Sequence, residues 1–215
     1  MGFLYSLGRF LMSGTGQLMA GWDVTGRERV PRTGGLLVAS NHISFWDPPL
    51  VGAALPRACH FLAKEELFAT PLIGPLFREI NALPIRRGMA DLTGLSRAVE
   101  LLQGGRALLL FPEGTRMRDG ELHPARPGVG MLAVHAGVPI LPCCISGSNR
   151  PGQWWYRGTR VRISFGAPKP WQELAGPDSD LTPGRALYQR IGDGVMREVA
   201  ELRAGQRQAA TRGAA

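Results

Sequence analysis

His42 and Asp47 stand five positions apart in Asn41-His42-Ile43-Ser44-Phe45-Trp46-Asp47, a candidate base and a candidate orienting carboxylate on one short stretch of chain. An aspartate that accepts a hydrogen bond from one imidazole nitrogen fixes the tautomer, and leaves the other nitrogen to take a proton from a hydroxyl. The flanking residues indicate how the two are placed. Leu36-Leu37-Val38-Ala39-Ser40 reads as a buried strand, and Pro48-Pro49 suits the first turn of a helix, where a missing N–H costs nothing. His42 therefore falls in a strand-to-helix loop. Asp47 falls at the helix N-cap, where its carboxylate can cap backbone N–H groups while reaching back to the ring. The same spacing also suits an ordinary loop histidine beside a capping aspartate, so further motifs must separate the two readings.

Phe111-Pro112-Glu113-Gly114-Thr115-Arg116 follows the buried-strand run Arg106-Ala107-Leu108-Leu109-Leu110. It is a glycine-containing loop with one carboxylate and one guanidinium at a strand end, where α/β sheets hold their ligands. Between the two motifs lies Asn81-Ala82-Leu83-Pro84-Ile85-Arg86-Arg87, and Val138-Pro139-Ile140-Leu141-Pro142-Cys143-Cys144-Ile145-Ser146-Gly147 comes after them. In this order and spacing the four blocks resemble the glycerolipid acyltransferases typified by 1-acylglycerol-3-phosphate acyltransferase, over about residues 25–170. The N-H-x4-D motif of that family is met by Asn41, His42 and Asp47, and F-P-E-G-T-R by Phe111 through Arg116 without departure. Its G-x-x-F-I-x-R motif is met at Ile85 and Arg87, with Asn81 in place of the glycine and Pro84 in place of the aromatic residue. Its V-P-I-x-P-V-x-I-x-G motif is met at Val138, Pro139, Ile140, Pro142, Ile145 and Gly147, with Cys143 in place of valine. Phe61-Leu62-Ala63-Lys64-Glu65-Glu66-Leu67 is similar to the family segment that carries a lysine near the acceptor phosphate.

The resemblance implies transfer of a fatty acyl group from a thioester to the free hydroxyl of a lysophospholipid, by default 1-acylglycerol-3-phosphate. Glycerol 3-phosphate, another lysophospholipid or a lyso-ornithine lipid are the alternative acceptors. His42 would remove the hydroxyl proton, and Asp47 would orient the ring and stabilise the imidazolium. Arg116, Arg87 and Lys64 would hold the acceptor phosphate, with Arg86 able to substitute for Arg87, because guanidinium groups grip phosphate oxygens in pairs and lysine adds a point charge. Glu113, Gly114 and Thr115 would complete the acceptor site: Gly114 permits close backbone approach, and Glu113 accepts a hydroxyl or orients an arginine. The donor would be acyl-CoA or acyl-carrier protein, a substrate rather than a bound cofactor. A serine hydrolase using Ser40 or Ser44 is a competing reading that lacks the G-x-S-x-G elbow. A non-catalytic lipid-binding module would not require His42 and Asp47 together.

The elements that must position these residues alternate. Strand-like runs at Leu36–Ser40, His60–Ala63, Leu83–Ile85, Ala107–Phe111, Pro139–Ile145 and Arg160–Phe165 are separated by helical patterns, which indicates an α/β fold. With the resemblance, this predicts a single domain over 25–203 with a central mixed, mostly parallel sheet flanked by helices. Helices are predicted from Asp91, as cap, to Gln103, from Pro127 to Ala136, and from Leu181 to Arg203, where Gly192 and Gly194 weaken the pattern. Phe3, Leu4, Leu7, Phe10, Leu11, Leu18, Met19 and Trp22 give residues 1–24 an amphipathic helical spacing that suits either the core or a bilayer surface. The Trp154-Trp155-Tyr156 loop admits the same two readings. Residues 204–215 have no apolar periodicity and read as a disordered tail.

At 215 residues the chain can bury a full core. Its net charge of +8 favours anionic partners such as phosphorylated lipids, coenzyme A, an acidic carrier or membrane headgroups, although arginine supplies 23 of the 25 basic residues and is spread throughout. No nucleic-acid-binding motif accompanies that charge. Cys59, Cys143 and Cys144 lie in apolar strand contexts without a C-x-x-C pair, so they read as buried thiols. His60, His123 and His135 lack metal-ligand spacing, and no metal is expected. No apolar run reaches the 18 residues or so of a spanning helix. The expectation is a cytoplasmic protein, peripheral on the cytoplasmic face of the membrane.

Overall fold

The computed structural model describes residues 22–71, 73–86, 92–150, 160–177 and 180–212. Seven strands form one sheet: β1 (Asp23–Thr25), β2 (Leu36–Ser40), β3 (Cys59–Lys64), β4 (Ala82–Ile85), β5 (Ala107–Leu110), β6 (Ile140–Ser146) and β7 (Arg162–Phe165). Their spatial order is β1-β7-β6-β2-β5-β3-β4. The pairs β6-β2, β2-β5, β5-β3 and β3-β4 are parallel, β6-β7 is antiparallel, and β1 runs parallel to β7. The sheet is thus mixed and mostly parallel, and it begins at Asp23, two residues before the expected boundary of the domain. Among the described residues, seven α-helices connect and flank it: α1 (Asp47–Ala54), α2 (Glu65–Phe68), α3 (Ile73–Glu79), α4 (Leu92–Gln103), α5 (Gly128–Ala136), α6 (Trp171–Ala175) and α7 (Arg185–Arg212).

Central position explains the strand sequences. All five residues of β2 are buried because both faces of the sheet are covered, and a strand covered on both faces reads as a continuous apolar run. Side chains alternate between the faces. Leu37 and Ala39 join Ala98 and Leu102 of α4, Leu132 and Ala133 of α5, Leu174 of α6 and Ile191, Val195 and Val199 of α7. Leu36 and Val38 face the other way, onto Leu50, Val51 and Ala54 of α1. All three cysteines are free and buried, as expected, and burial pushes Cys59 and Cys144 up to about 12.

Two sequence expectations change at the C-terminus. The helix predicted to stop at Arg203 continues to Arg212, through residues that read as a disordered tail. Gln206 supplies the reason: it is buried, its amide donates to Cys144 O at 3.0 Å and to Ser164 Oγ at 2.9 Å, and its carbonyl accepts from Ser146 Oγ at 2.8 Å. A polar residue that satisfies strand ends leaves no apolar period to read. Gly194, in turn, allows α7 to lie against α6, since a Cβ there would stand 2.0 Å from Leu174 O. The N-terminal amphipathic segment up to residue 21, the Asp91 cap, Arg87 and Trp154-Trp155-Tyr156 lie outside the described residues. Among the described residues, no helix is long and apolar enough to cross a membrane.

Candidate active site

The candidate polar residues His42, Lys64, Arg86 and Glu113 to Arg116 sit at or just beyond the carboxyl ends of parallel strands, where open α/β sheets bind their ligands. His42 follows β2, Glu113 to Arg116 follow β5, Lys64 ends β3 and Arg86 follows β4. The sheet order therefore places Arg116 on the neighbouring strand to His42, Lys64 two strands away and Arg86 three, a spread of about 5 to 15 Å at the usual strand spacing.

Asp47 anchors the loop. Its Oδ2 accepts from His42 Nδ1 at 2.9 Å and from the backbone N–H groups of Ile43 and Ser44, both at 2.7 Å. The other oxygen, Oδ1, accepts from Ser148 Oγ at 2.5 Å. The carboxylate is fully buried and His42 is 8% exposed. Asp47 does not cap the helix, contrary to the sequence reading: Trp46 holds the N-cap position and no side chain caps α1. The prolines that marked the helix start also explain the difference. A capping side chain accepts from the N–H groups of the second and third helical residues, and here those are Pro48 and Pro49, which have none. Asp47 turns back instead onto the loop that precedes it.

With Nδ1 committed to Asp47, His42 Nε2 makes no hydrogen bond among the described residues. The ring stacks on Phe111, centroids 4.0 Å apart and planes at 17°, and the backbone is held on both sides. His42 N–H donates to Glu113 Oε2 at 2.8 Å, and His42 O accepts from Met117 N–H at 2.7 Å. This arrangement can act as a proton acceptor fixed in one tautomer, with one ring nitrogen free among the described residues.

Glu113 departs from its expected role of accepting a substrate hydroxyl or orienting an arginine. It is 2% exposed, and its second oxygen accepts from His123 N–H at 3.2 Å, so both oxygens serve the backbone. Burial raises its carboxyl above the usual glutamate value, and the two N–H donors offset part of that. Gly114 is required by its turn rather than by an approaching substrate: its φ is +73°, a left-handed conformation that costs any other residue, and its N–H closes onto Phe111 O at 3.0 Å. Thr115 is exposed at the loop tip. Arg116 lies with its guanidinium carbon 3.4 Å above the ring of Phe45, a residue of the His42–Asp47 loop. Lys64 is exposed, whereas Arg86 forms a two-pronged ion pair with Glu65 at 2.5 and 3.3 Å. Asn81 adopts φ +63°, the left-handed backbone that the motif glycine would take, and asparagine is among the few residues that tolerate it.

Two structural members of the site have no role assigned to them by the sequence. Asn41 pairs with the backbone of Ile145 through two hydrogen bonds, Nδ2 to Ile145 O at 3.0 Å and Ile145 N to Oδ1 at 2.8 Å, extending the β2-β6 ladder by an amide side chain. Ser148, one residue past the fourth motif, was not foreseen; only its place beyond a strand next to β2 pointed to it. Among the described residues neither Ser40 nor Ser44 pairs with His42 as a nucleophile with its base: Ser40 Oγ donates to Asn41 O at 3.2 Å, and Ser44 Oγ accepts from Trp46 N–H at 3.2 Å.

Comparison with known proteins places this geometry. A 1-acyl-sn-glycerol-3-phosphate acyltransferase of Brassica napus chloroplasts is 32% identical over 131 residues, 60% of this chain and 38% of that protein. A lyso-ornithine lipid O-acyltransferase of Pseudomonas aeruginosa is 42% identical over 112 residues, 52% of this chain and 43% of that protein. The chain thus spans about two fifths of the length of these two relatives. The crystal structure of the 1-acyl-sn-glycerophosphate (LPA) acyltransferase PlsC from Thermotoga maritima superposes with a TM-score of 0.67 at 29% identity, covering 93% of this chain and 80% of that one. The family model described as Acyltransferase matches residues 21–146, which hold His42, Asp47 and the Phe111 to Arg116 loop, and the chain belongs to the acyltransferase family.

Proposed function

We propose that the chain transfers a fatty acyl group from an acyl thioester to the free hydroxyl of a lysophospholipid, most directly 1-acylglycerol-3-phosphate. The observation that carries this reading is the buried His42–Asp47 pair with Nε2 unpartnered among the described residues, set one strand from Arg116. His42 Nε2 takes the hydroxyl proton as the acceptor oxygen bonds to the thioester carbonyl carbon. The tetrahedral intermediate then collapses, the carbon–sulfur bond breaks, and the imidazolium returns the proton to the leaving thiolate. Asp47 holds Nδ1–H throughout and balances the positive charge. No acyl-enzyme forms, which fits serines whose hydroxyls make no hydrogen bond to His42 among the described residues.

Arg116, Arg87 and Lys64 bind the acceptor phosphate in this reading. Arg86 serves only if it leaves Glu65. Acyl-CoA or acyl-carrier protein is the donor, and the protein works as a peripheral protein on the cytoplasmic face of a membrane. A second acceptor is favoured by one observation, the 42% identity with the Pseudomonas aeruginosa lyso-ornithine lipid acyltransferase. A panel of lyso-acceptors offered with both donors, read by mass spectrometry, separates the two: acylation of 1-acylglycerol-3-phosphate well above lyso-ornithine lipid is expected, and the reverse preference would overturn the phosphate assignment. His42→Ala is the control, with turnover expected to fall by about 10²–10⁴; near-normal turnover in the folded variant would reject the base.

A further inference from the structure

The catalytic loop has a second side. Asn41 and Ile43, the neighbours of His42, help line a cavity of about 240 Å³ whose wall also carries Asn149, Arg162, Arg203 and Arg207. Arg162 opens β7, while Arg203 and Arg207 come from the last turns of α7, so separate elements deliver the three guanidinium groups to one space. Among the described residues, no carboxylate belongs to the wall. Arg203 is held to Glu121 at 3.0 Å and to Gly120 O at 2.9 Å. By contrast, Arg207 is 3.9 Å from Glu121 and Arg162 is 3.8 Å from Asp23, too long for hydrogen bonds. Among the described residues, the side chains of Arg162 and Arg207 make none, so their N–H groups are available to a ligand. Planar guanidinium donors in a positively charged recess suit phosphate oxygens above other anions.

Position in the sheet says which phosphate. The cations assigned to the acceptor follow β5, β3 and β4 on one side of His42, whereas this cavity lies over β6 and β7 on the other. An acyl transfer brings two phosphate-bearing substrates to one base. β7 stands two strands from β2, about 10 Å, and an extended pantetheine arm is longer than that. We propose that the cavity binds the phosphate end of the donor's phosphopantetheine arm, the group that coenzyme A and a carrier protein share, so that the thioester lies across His42 toward the acceptor. This assignment rests on the acyl-transfer reading above.

Arg207→Gln and Arg162→Gln test it: the Arg207 side chain is largely exposed and that of Arg162 is 28% exposed, and neither makes a side-chain hydrogen bond among the described residues that the fold would lose. With acceptor held constant and acyl-CoA or acyl-carrier protein varied, each substitution should raise the donor KM by about 10-fold or more, the scale of one charge-assisted hydrogen bond, with kcat and acceptor KM unchanged. The donor whose KM responds identifies the source of the phosphate. Free coenzyme A should also inhibit the variants less well, whereas pantetheine, which has no phosphate, should inhibit all forms equally. An unaltered donor KM in both variants would overturn the inference while leaving the acyltransferase reading intact. So would a loss confined to binding of phosphatidylglycerol vesicles, which would make the cavity a lipid-headgroup site. If the protein turned over no lyso-acceptor, the acyltransferase reading would fail, and titration of coenzyme A into His42→Ala would still decide the site: binding weakened by Arg207→Gln supports it, and absence of binding rejects it.

Discussion

Asp47→Asn separates the charge of this carboxylate from its hydrogen bonds. Among the described residues Oδ2 collects three donors, His42 Nδ1 and the N–H groups of Ile43 and Ser44, while Oδ1 meets only the Ser148 hydroxyl. An asparagine can put its carbonyl oxygen where Oδ2 stands and its NH₂ toward Ser148, whose hydroxyl accepts as readily as it donates. Loop and tautomer survive, and the negative charge does not. In the proposed transfer, positive charge develops on His42 as the proton is taken. A carboxylate about 4 Å away between charge centres is worth about 4 kcal/mol at an effective dielectric of about 20. The amide dipole returns part of this, so a loss of about 2–4 kcal/mol, or about 30- to 1,000-fold in kcat, is expected. Initial rates at saturating donor and acceptor, taken with thermal melts on the same samples, provide the assay. Melting should move by no more than a few degrees. A kcat close to wild type would refute the electrostatic argument, and a rate loss that simply tracked unfolding would show that Asp47 acts through packing.

Ser148→Ala leaves Asp47 Oδ1 without a partner at a fully buried site; a cost of about 1–3 kcal/mol in denaturant unfolding is expected, with a smaller fall in kcat than Asp47→Asn. In Glu113→Gln one of two backbone donors, His42 N–H or His123 N–H, must face an NH₂ group, which lowers stability by about 1–3 kcal/mol near neutral pH. Because burial raises the Glu113 pKa in the folded state, the native protein binds more protons than the unfolded chain between the ordinary glutamate value and the raised one. The Glu113 contribution to stability is therefore full below that window and declines as pH rises through it; urea midpoints across this range should fall in wild type and flatten in Glu113→Gln. Arg116→Ala should reduce kcat/KM for phosphorylated acceptors by about 10- to 150-fold, the worth of one charged hydrogen bond, and leave uncharged acceptors unaffected. Arg116→Lys should recover only part of it. Removal of residues 1–19 should weaken sedimentation with anionic liposomes more than activity on a soluble short-chain acceptor; unchanged sedimentation with a lower melting temperature would assign that segment to the core.

Local sequence was sufficient wherever one principle acted alone. Apolar runs marked β2, β5 and β6 because a strand buried on both faces needs nothing else. Gly137, in the left-handed conformation at φ +65°, ended α5 as its position just past the apolar pattern required. His42 and Asp47 were legible as a pair because both partners of the 2.9 Å contact lie in one loop. The tertiary structure decided what depended on residues distant in sequence. Glu113 became a strut because β5 lies beside β2, which brings its carboxylate to the His42 N–H across a separation of 71 residues. Ser148 reached Asp47, and Asn41 reached Ile145, only because β6 adjoins β2 on the other side. The C-terminal helix ran on to Arg212 because Gln206 found buried partners on β6 and β7. A strand, a cap or a turn is set by neighbours along the chain, whereas the partners of a buried polar group are set by strand order, and strand order is a property of the folded sheet.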